Sequence, residues 1–397
     1  MERTIYREIK ATPSVWMVAI LLAAFVGAAG LSVLTIEHHG HIITGMNNQI
    51  VWGLPHVFAI FLIVAASGAL NVASIASVFG KKAYKPMSRF SALLSIALLL
   101  GGLAVLVLDL GRPDRLLIAM TTYNFTSIFA WNMLLYNGFF VIVGFYLAVQ
   151  MTMGINPKVV KWAGLAAFLW RLALTTGTGS IFGWLVARPG YDAAVMAPLF
   201  IAMSFAFGLA FFLLTTLLLF KLSDRIFGDI LLKRMGSLLG VFAAAVLYFT
   251  ATQHLTNIYA AEHGAVERFF LRDGGIYTTL FWGVQVFLGG IIPMALVFLR
   301  PSRQSTIMAS FLVIIGGFAQ LYVIIIGGQA FPLEIFPGYE VLEGFNEGMV
   351  NSYAPSIYEL ALGLGGVAIT LLAAGVGAKI LRVLPTNLSD ANVPADN

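Results

Sequence analysis

The sequence predicts an all-α polytopic membrane protein with ten transmembrane helices, and three observations predict it. Hydrophobic residues make up 59% of the 397 and charged residues only 10%, against about 25% charged in soluble domains. Ten apolar runs are each long enough to cross a bilayer, which takes roughly 20 residues of helix. The basic residues gather in alternate connections between those runs, the pattern left when one set of loops stays in the cytoplasm.

The runs fall at 13–37, 52–79, 88–110, 124–150, 158–184, 192–220, 234–258, 275–299, 304–329 and 355–382. Backbone polar groups inside hydrocarbon must bond within their own segment, so each run is read as a helix. Together they form one integral-membrane domain, 1–385. The polar remainder, 386–397, "TNLSDANVPADN", has the composition of a disordered tail. The first run is too long for the apolar core of a secretory leader and lacks a small-residue cleavage pattern, so it is read as a span.

The charges orient the helices. The termini and the even-numbered connections hold 17 Lys and Arg, from Arg3 to Arg382. The odd-numbered connections hold five: Arg112, Arg115, Arg188, Arg268 and Arg272. Both termini are therefore expected in the cytoplasm. A pI near 9.3 then reflects topology, not nucleic-acid binding. One basic residue is left over: Arg171, near the middle of the fifth run. There is no cysteine, so the chain has no thiolate for an iron–sulfur cluster or for thioether attachment of haem, and no disulfide.

The ionisable groups lean to the outer side. His38, His39, His41, His56, His254 and His263 all fall at or beyond that boundary. None lies mid-helix, which argues against two haems stacked across the bilayer between facing histidines. A single haem near the outer face stays open. Asp109 closes the third run, in "LVLDLGRPDRLL", and Glu359 lies one turn inside the tenth. Thr250, Gln253, His254 and Asn257 recur at helical spacing near the end of the seventh, with Glu262 just beyond. Intramembrane ionisable groups are costly and point to function by default. The bland alternative for Asp109 is an ion pair with Arg112, three residues later. Arg171 needs a carbonyl, water or acid partner; no acid is evident at its depth, and the glycines of "TTGTGSIFG" are one candidate source of a carbonyl. Ser67, Asn71, Ser74 and Ser77 make a stripe on the second run. It reads either as tight helix packing or as a water-filled proton route. The long outer connection "FPLEIFPGYEVLEGFNEGMVNSYAP" reads as a partner-docking surface or as an ordinary solvated loop.

The order of motifs resembles the NrfD/PsrC-type family of membrane quinone-interacting subunits. The likeness rests on "WGLPHVFAIFLIVAASGALNVASIASVFG", "DLGRP" at 109–113, "YNFTSIFAWNMLLYN" and "TTGTGSIFGWLVARPGYD", over about residues 52 to 192. The ten spans and "PSIYELALG" are most similar to the subgroup that includes the Dsr-type P subunit. The resemblance implies two four-helix bundles, spans two to five and six to nine, with one flanking span at each end, in a prokaryotic inner membrane. It implies a subunit without haem or iron–sulfur cluster that oxidises or reduces menaquinone or ubiquinone near the periplasmic face. Its partners would be a periplasmic [4Fe–4S] ferredoxin-like subunit, further cytochrome or catalytic subunits, and lipid.

Under that resemblance the expected quinone contacts are His56, Asp109, Arg112, Asn124, Thr178 and Ser180. Asp109, Arg112 and His56 are expected to do the proton chemistry, with Asp109 exchanging protons and Arg112 either holding it ionised or stabilising a semiquinone anion. Ser67, Asn71, Ser74, Arg171, His254, Glu262 and Glu359 are the expected proton path. No metal ligand set is expected. An ion-coupled transporter and a cytochrome-like anchor without quinone chemistry are the competing classes. Transporters favour midplane sites and broken helices, whereas the acids here avoid the midplane.

Overall fold

The computed structural model describes residues 4–333 and 348–392. Among these, ten helices are long and apolar enough to cross a membrane. They are α1 Pro13–His39, α2 Leu54–Ser77, α3 Lys82–Leu108, α4 Ile128–Met151, α5 Pro157–Gly183, α6 Met196–Leu222, α7 Asp229–Tyr259, α8 Ile276–Leu299, α9 Arg303–Ala330 and α10 Ile357–Ile380. The protein is an all-α, multi-pass membrane protein. Every predicted run has its helix. The largest shift is at the start of α3, where a 3₁₀ turn containing Pro86 precedes the α-helix proper at Ser88; proline removes the backbone donor an α-helix would need there.

Buried position follows sequence. α2 is the most enclosed helix and packs against α3, α6, α9 and α10, while α1 leaves most of its surface outward and packs on α10. α2 with α3, α3 with α4, and α4 with α5 are neighbours; so are α6 with α7, α8 with α9, and α6 with α9. The α2–α6 crossing depends on small residues. Gly68 leaves no room for a Cβ against the Ser204 backbone, and Gly208 none against Gly68. In lipid, where apolar side chains gain little by leaving their solvent, such close backbone approach is a main source of helix association.

Two helices widen locally. Leu280–Ile291 within α8 and Val323–Gly327 within α9 are π-helical, a form that often marks functional sites.

The terminal face is laced together. Tyr6–Arg7 (β1) pairs antiparallel with Leu384–Pro385 (β3), and Ile226–Phe227 (β2) pairs in parallel with Asn387–Leu388 (β4). The Arg225 guanidinium donates to the carbonyls of Arg7, Glu8, Leu384 and Pro385. The expectation of a disordered tail is therefore corrected for residues 386–392, which pack on the body; 393–397 lie outside the described residues.

Candidate functional site

On the face opposite the termini, the connection from α1 to α2 brings three groups to the end of α3. α1 stops at Gly40, whose φ of 79° is left-handed, and the following 3₁₀ turn presents His41. α2 starts at Leu54 with Pro55 in its first turn, where proline's missing N–H costs nothing. His56 comes next. Asp109 caps the α3 helix, its N–H bonded to the Val105 carbonyl.

The Asp109 side chain is 1% exposed and has two imidazoles beside it. His56 Nδ1 is 3.1 Å from Oδ2, and His41 Nε2 is 4.0 Å from Oδ1 and 3.2 Å from the Asp109 carbonyl. The His56 contact has the length of an ion pair, but the ring nitrogen is not aimed along a hydrogen bond. Both carboxylate oxygens keep unfilled acceptor capacity. A buried acceptor left open costs roughly 1–3 kcal/mol, more if charged, so the arrangement favours a donor arriving from outside.

An aromatic group adjoins the imidazole. Trp52 stacks near His56 at 6.3 Å and near Tyr191 at 6.2 Å, and meets Phe129 and Phe182 edge-on. Trp52 itself is pinned through its backbone. Gln329 of α9 accepts from the N–H groups of Val51 and Trp52 and donates to the Trp52 carbonyl. Arg188 ties the same connection down by donating to the carbonyls of Gln49 and Gln329. Tyr353 accepts from the Leu54 N–H at 2.6 Å and donates to Glu359 at 2.6 Å. Burial first, then hydrogen bonding to Glu359, raises the Tyr353 phenol above its ordinary range, so it stays a donor.

The remaining expected residues separate into groups. Arg112 does not pair with Asp109. Pro113 turns the chain outward, and the guanidinium, 64% exposed, forms a two-bond pair with Asp114 at 2.9 and 3.0 Å. That pairing holds the Asp114 carboxyl below its ordinary range. Asn124 is exposed and shapes its own turn, its side chain accepting from the Thr126 N–H and hydroxyl. Thr178 and Ser180 are buried; Thr178 donates to the Leu174 carbonyl at 3.0 Å. Phe182, on the same helix, meets Trp52 at 5.9 Å.

The stripe on α2 is bonded to backbone. Ser67 donates to the Arg171 carbonyl, Ser74 to the Leu70 carbonyl and Ser77 to the Ala73 carbonyl. Asn71 reaches the Phe205 carbonyl at 3.5 Å. These bonds and the Gly68 crossing favour the packing reading. Arg171, 2% exposed, donates to the Ser67 carbonyl at 3.1 Å and lies over the rings of Phe168 and Phe205, each at 4.9 Å. Its carbonyl partner comes from α2, and α5 continues unbroken through "TTGTGSIFG", which corrects the expected source.

Glu359 is 0% exposed and fully engaged. It accepts from the N–H groups of Gly45 and Ser356 and from Tyr353, closing a capping box on α10. It reads as a structural acceptor. His254 bonds not to Glu262, which is exposed, but to Glu267 at 2.6 Å. Sequence reasoning missed Glu267, Gln329, His41 and Trp52. Only His41 had a signal, a histidine directly after the glycine that ends α1. The central part of the long outer connection, 334–347, lies outside the described residues, and the docking expectation falls largely there.

Among known proteins, the family profile described as polysulphide reductase, NrfD matches residues 42–333. An Hdr-like menaquinol oxidoreductase integral membrane subunit of Archaeoglobus fulgidus is 30% identical over 388 residues, covering 96% of each sequence. A putative dimethyl sulfoxide reductase membrane subunit of Halobacterium salinarum is 27% identical, covering 93% of this protein and 90% of that one. A polysulfide reductase polypeptide of Wolinella succinogenes is 24% identical over 72% of this protein and 96% of its own length. With a match across most of its length, and with the Asp109 and His56 elements inside that match, the chain belongs to the polysulphide reductase NrfD family.

Proposed function

We propose that this protein is the membrane subunit of a quinone/quinol oxidoreductase complex and that a quinol headgroup binds at Asp109 and His56. The charge pattern supports a periplasmic position for this face, and on this reading a [4Fe–4S] ferredoxin-like subunit there takes or gives the electrons. The names of the relatives, a menaquinol oxidoreductase subunit and polysulfide and dimethyl sulfoxide reductase polypeptides, support the substrate class.

One observation carries the assignment: a carboxylate 1% exposed, flanked by two imidazoles, with both oxygens still open to a donor. A quinol offers two hydroxyl donors. On oxidation one hydroxyl proton passes to Asp109, within hydrogen-bond reach, and His56 and His41 relay it toward water. The second proton leaves from the para hydroxyl on the far side of the ring, and the two electrons leave to the iron–sulfur partner. Reduction runs the steps backward. Trp52 and Phe129 supply flat apolar surface for the ring. Arg112, facing away and paired with Asp114, has no part in this chemistry.

Replacing Asp109 with Asn tests the proposal. Quinol turnover is lost while the complex still assembles; loss of assembly with the substitution would make Asp109 a structural residue instead. Proton release by the reconstituted complex tests whether turnover also moves charge across the membrane.

A further inference from the structure

A second protonatable pair lies in the other half of the protein, away from Asp109. His254 projects from the last turns of α7, and Glu267 from the short helix Gly264–Arg268 that follows. His254 Nδ1 is 2.6 Å from Glu267 Oε2, with the two side chains 15% and 3% exposed. The Asn257 amide donates to the other carboxylate oxygen at 2.9 Å, fixing its orientation. When charged, a pair buried this deeply is weak evidence for stability, because desolvation offsets much of the attraction. Its presence here calls for another explanation.

The surroundings give one. His254 lines a small cavity together with Thr250, Gln253, Gln285 and Gln320. A second small cavity, lined mostly by apolar side chains, shares Gln285 and Gln320 on its wall. Gln320 donates to the Thr250 hydroxyl at 3.2 Å. Two of the π-helical stretches border this space: Gln285 lies within the one in α8, and Val323 and Ile324 belong to the one in α9. The first cavity, though walled in part by Met196, Leu199, Phe270 and Phe281, presents five hydrogen-bonding side chains, and a site with about two to four polar partners can hold a water.

We propose that His254 and Glu267 form a second proton-binding site that takes up its proton from water in this cavity. Nδ1 is committed to the carboxylate, so exchange runs through Nε2. Uptake turns neutral imidazole and carboxylate into an imidazolium–carboxylate pair; release reverses it, and no electrons move. The proposal stands apart from the quinone reading. The groups facing the pair are Asn257 and Gln253 from α7, Phe281 and Gln285 from α8, Gln320 from α9, and Met196 and Leu199 from α6. Glu262 and His263, next in sequence, approach each other at 3.8 Å.

The test uses the full-length protein in lipid nanodiscs and needs no quinone. Net proton uptake is titrated between about pH 5 and 8, the range in which imidazoles change charge. Glu267→Gln is expected to take up about one proton fewer than the unsubstituted protein, and Glu267→Asp to restore it, because a neutral partner no longer holds imidazolium in a buried site. Equal uptake by a Glu267→Gln variant of unchanged helical content would overturn the proposal. Nitrogen resonance measurements on the histidines of the unsubstituted protein decide it even if the variant misfolds. The His254 signal, assigned by its loss in His254→Asn, moves with pH if the site binds a proton; a signal fixed over the whole range ends the idea.

Discussion

Asp109 and His56 face each other at 3.1 Å across the contact between α3 and α2, and neither closes a well-aimed hydrogen bond with the other. The pair is preorganised but unsatisfied. A hydroxyl donor reaching Asp109 gains a hydrogen bond without having to break one. Asp109→Asn keeps size and polarity and removes the proton acceptor. Its turnover should fall by about 10²- to 10⁴-fold, the usual contribution of a positioned acid or base, with assembly of the complex unchanged on native gels.

Arg112 makes the opposite prediction. Its partner is Asp114, and both are exposed. Surface pairs of this kind contribute little to stability. Arg112→Ala should leave quinol turnover within about twofold and thermal melting unchanged. A large loss of turnover at normal stability would return Arg112 to the site.

Gln329 bears on the site from a distance. Its side chain makes three bonds to the Val51–Trp52 backbone. Gln329→Leu leaves buried donors and an acceptor unpaired, at about 1–3 kcal/mol for such a group. Thermal melting in detergent should drop, and KM for quinol should rise more than kcat falls, because Trp52 and His56 lose their placement. Gln329→Glu keeps the acceptor for the two N–H groups but not the donor, and should fall between.

Glu359 is expected to act through stability alone. Glu359→Ala removes the acceptor for Gly45, Ser356 and Tyr353 together. A cap substitution alone costs about 0.5–2 kcal/mol, and the stranded Tyr353 and Gly45 donors add to it. Melting should fall by more than for Arg112→Ala. Quinol turnover per folded molecule should hold.

Arg171 offers a gain. It is a buried cation whose described contacts are one carbonyl and two aromatic faces. Taking a cation out of water carries a desolvation cost that such contacts offset only in part. Arg171→Met, of similar length, should melt at the same temperature or higher. A sharp loss of proton release at unchanged stability would restore the path reading.

How much of this was legible depended on whether a feature leaves a periodic or compositional mark. The ten helices did, because hydrocarbon enforces long apolar runs and the Lys and Arg distribution fixes their alternation. Asp109 and His56 did as well: an acid at the end of one span and a histidine at the start of its antiparallel neighbour fall at the same depth. The Asp109–Arg112 pairing failed because spacing along a helix was applied past its end. The helix ends at Leu108 with Asp109 as its cap, before Arg112, whose guanidinium pairs with Asp114 instead. Glu267 was missed because a short helix folds back onto α7, which sequence distance alone does not reveal; Glu262, nearer to His254 in sequence, points away. Gln329 and Arg188 act on backbone groups more than 130 positions distant, and bonds of that kind carry no pattern along the sequence.

The lacing of residues 49–54 has a bearing on how the molecule is made. The groups that hold it come from Arg188, Gln329, Tyr353 and Glu359, and a nascent polypeptide delivers them in that order. The loop beside His56 therefore leaves the ribosome early and receives its final restraints last, once α10 has been inserted. A polypeptide released prematurely would carry the histidine and the aspartate in the lipid with their scaffold unfinished, so competence arrives only with complete synthesis.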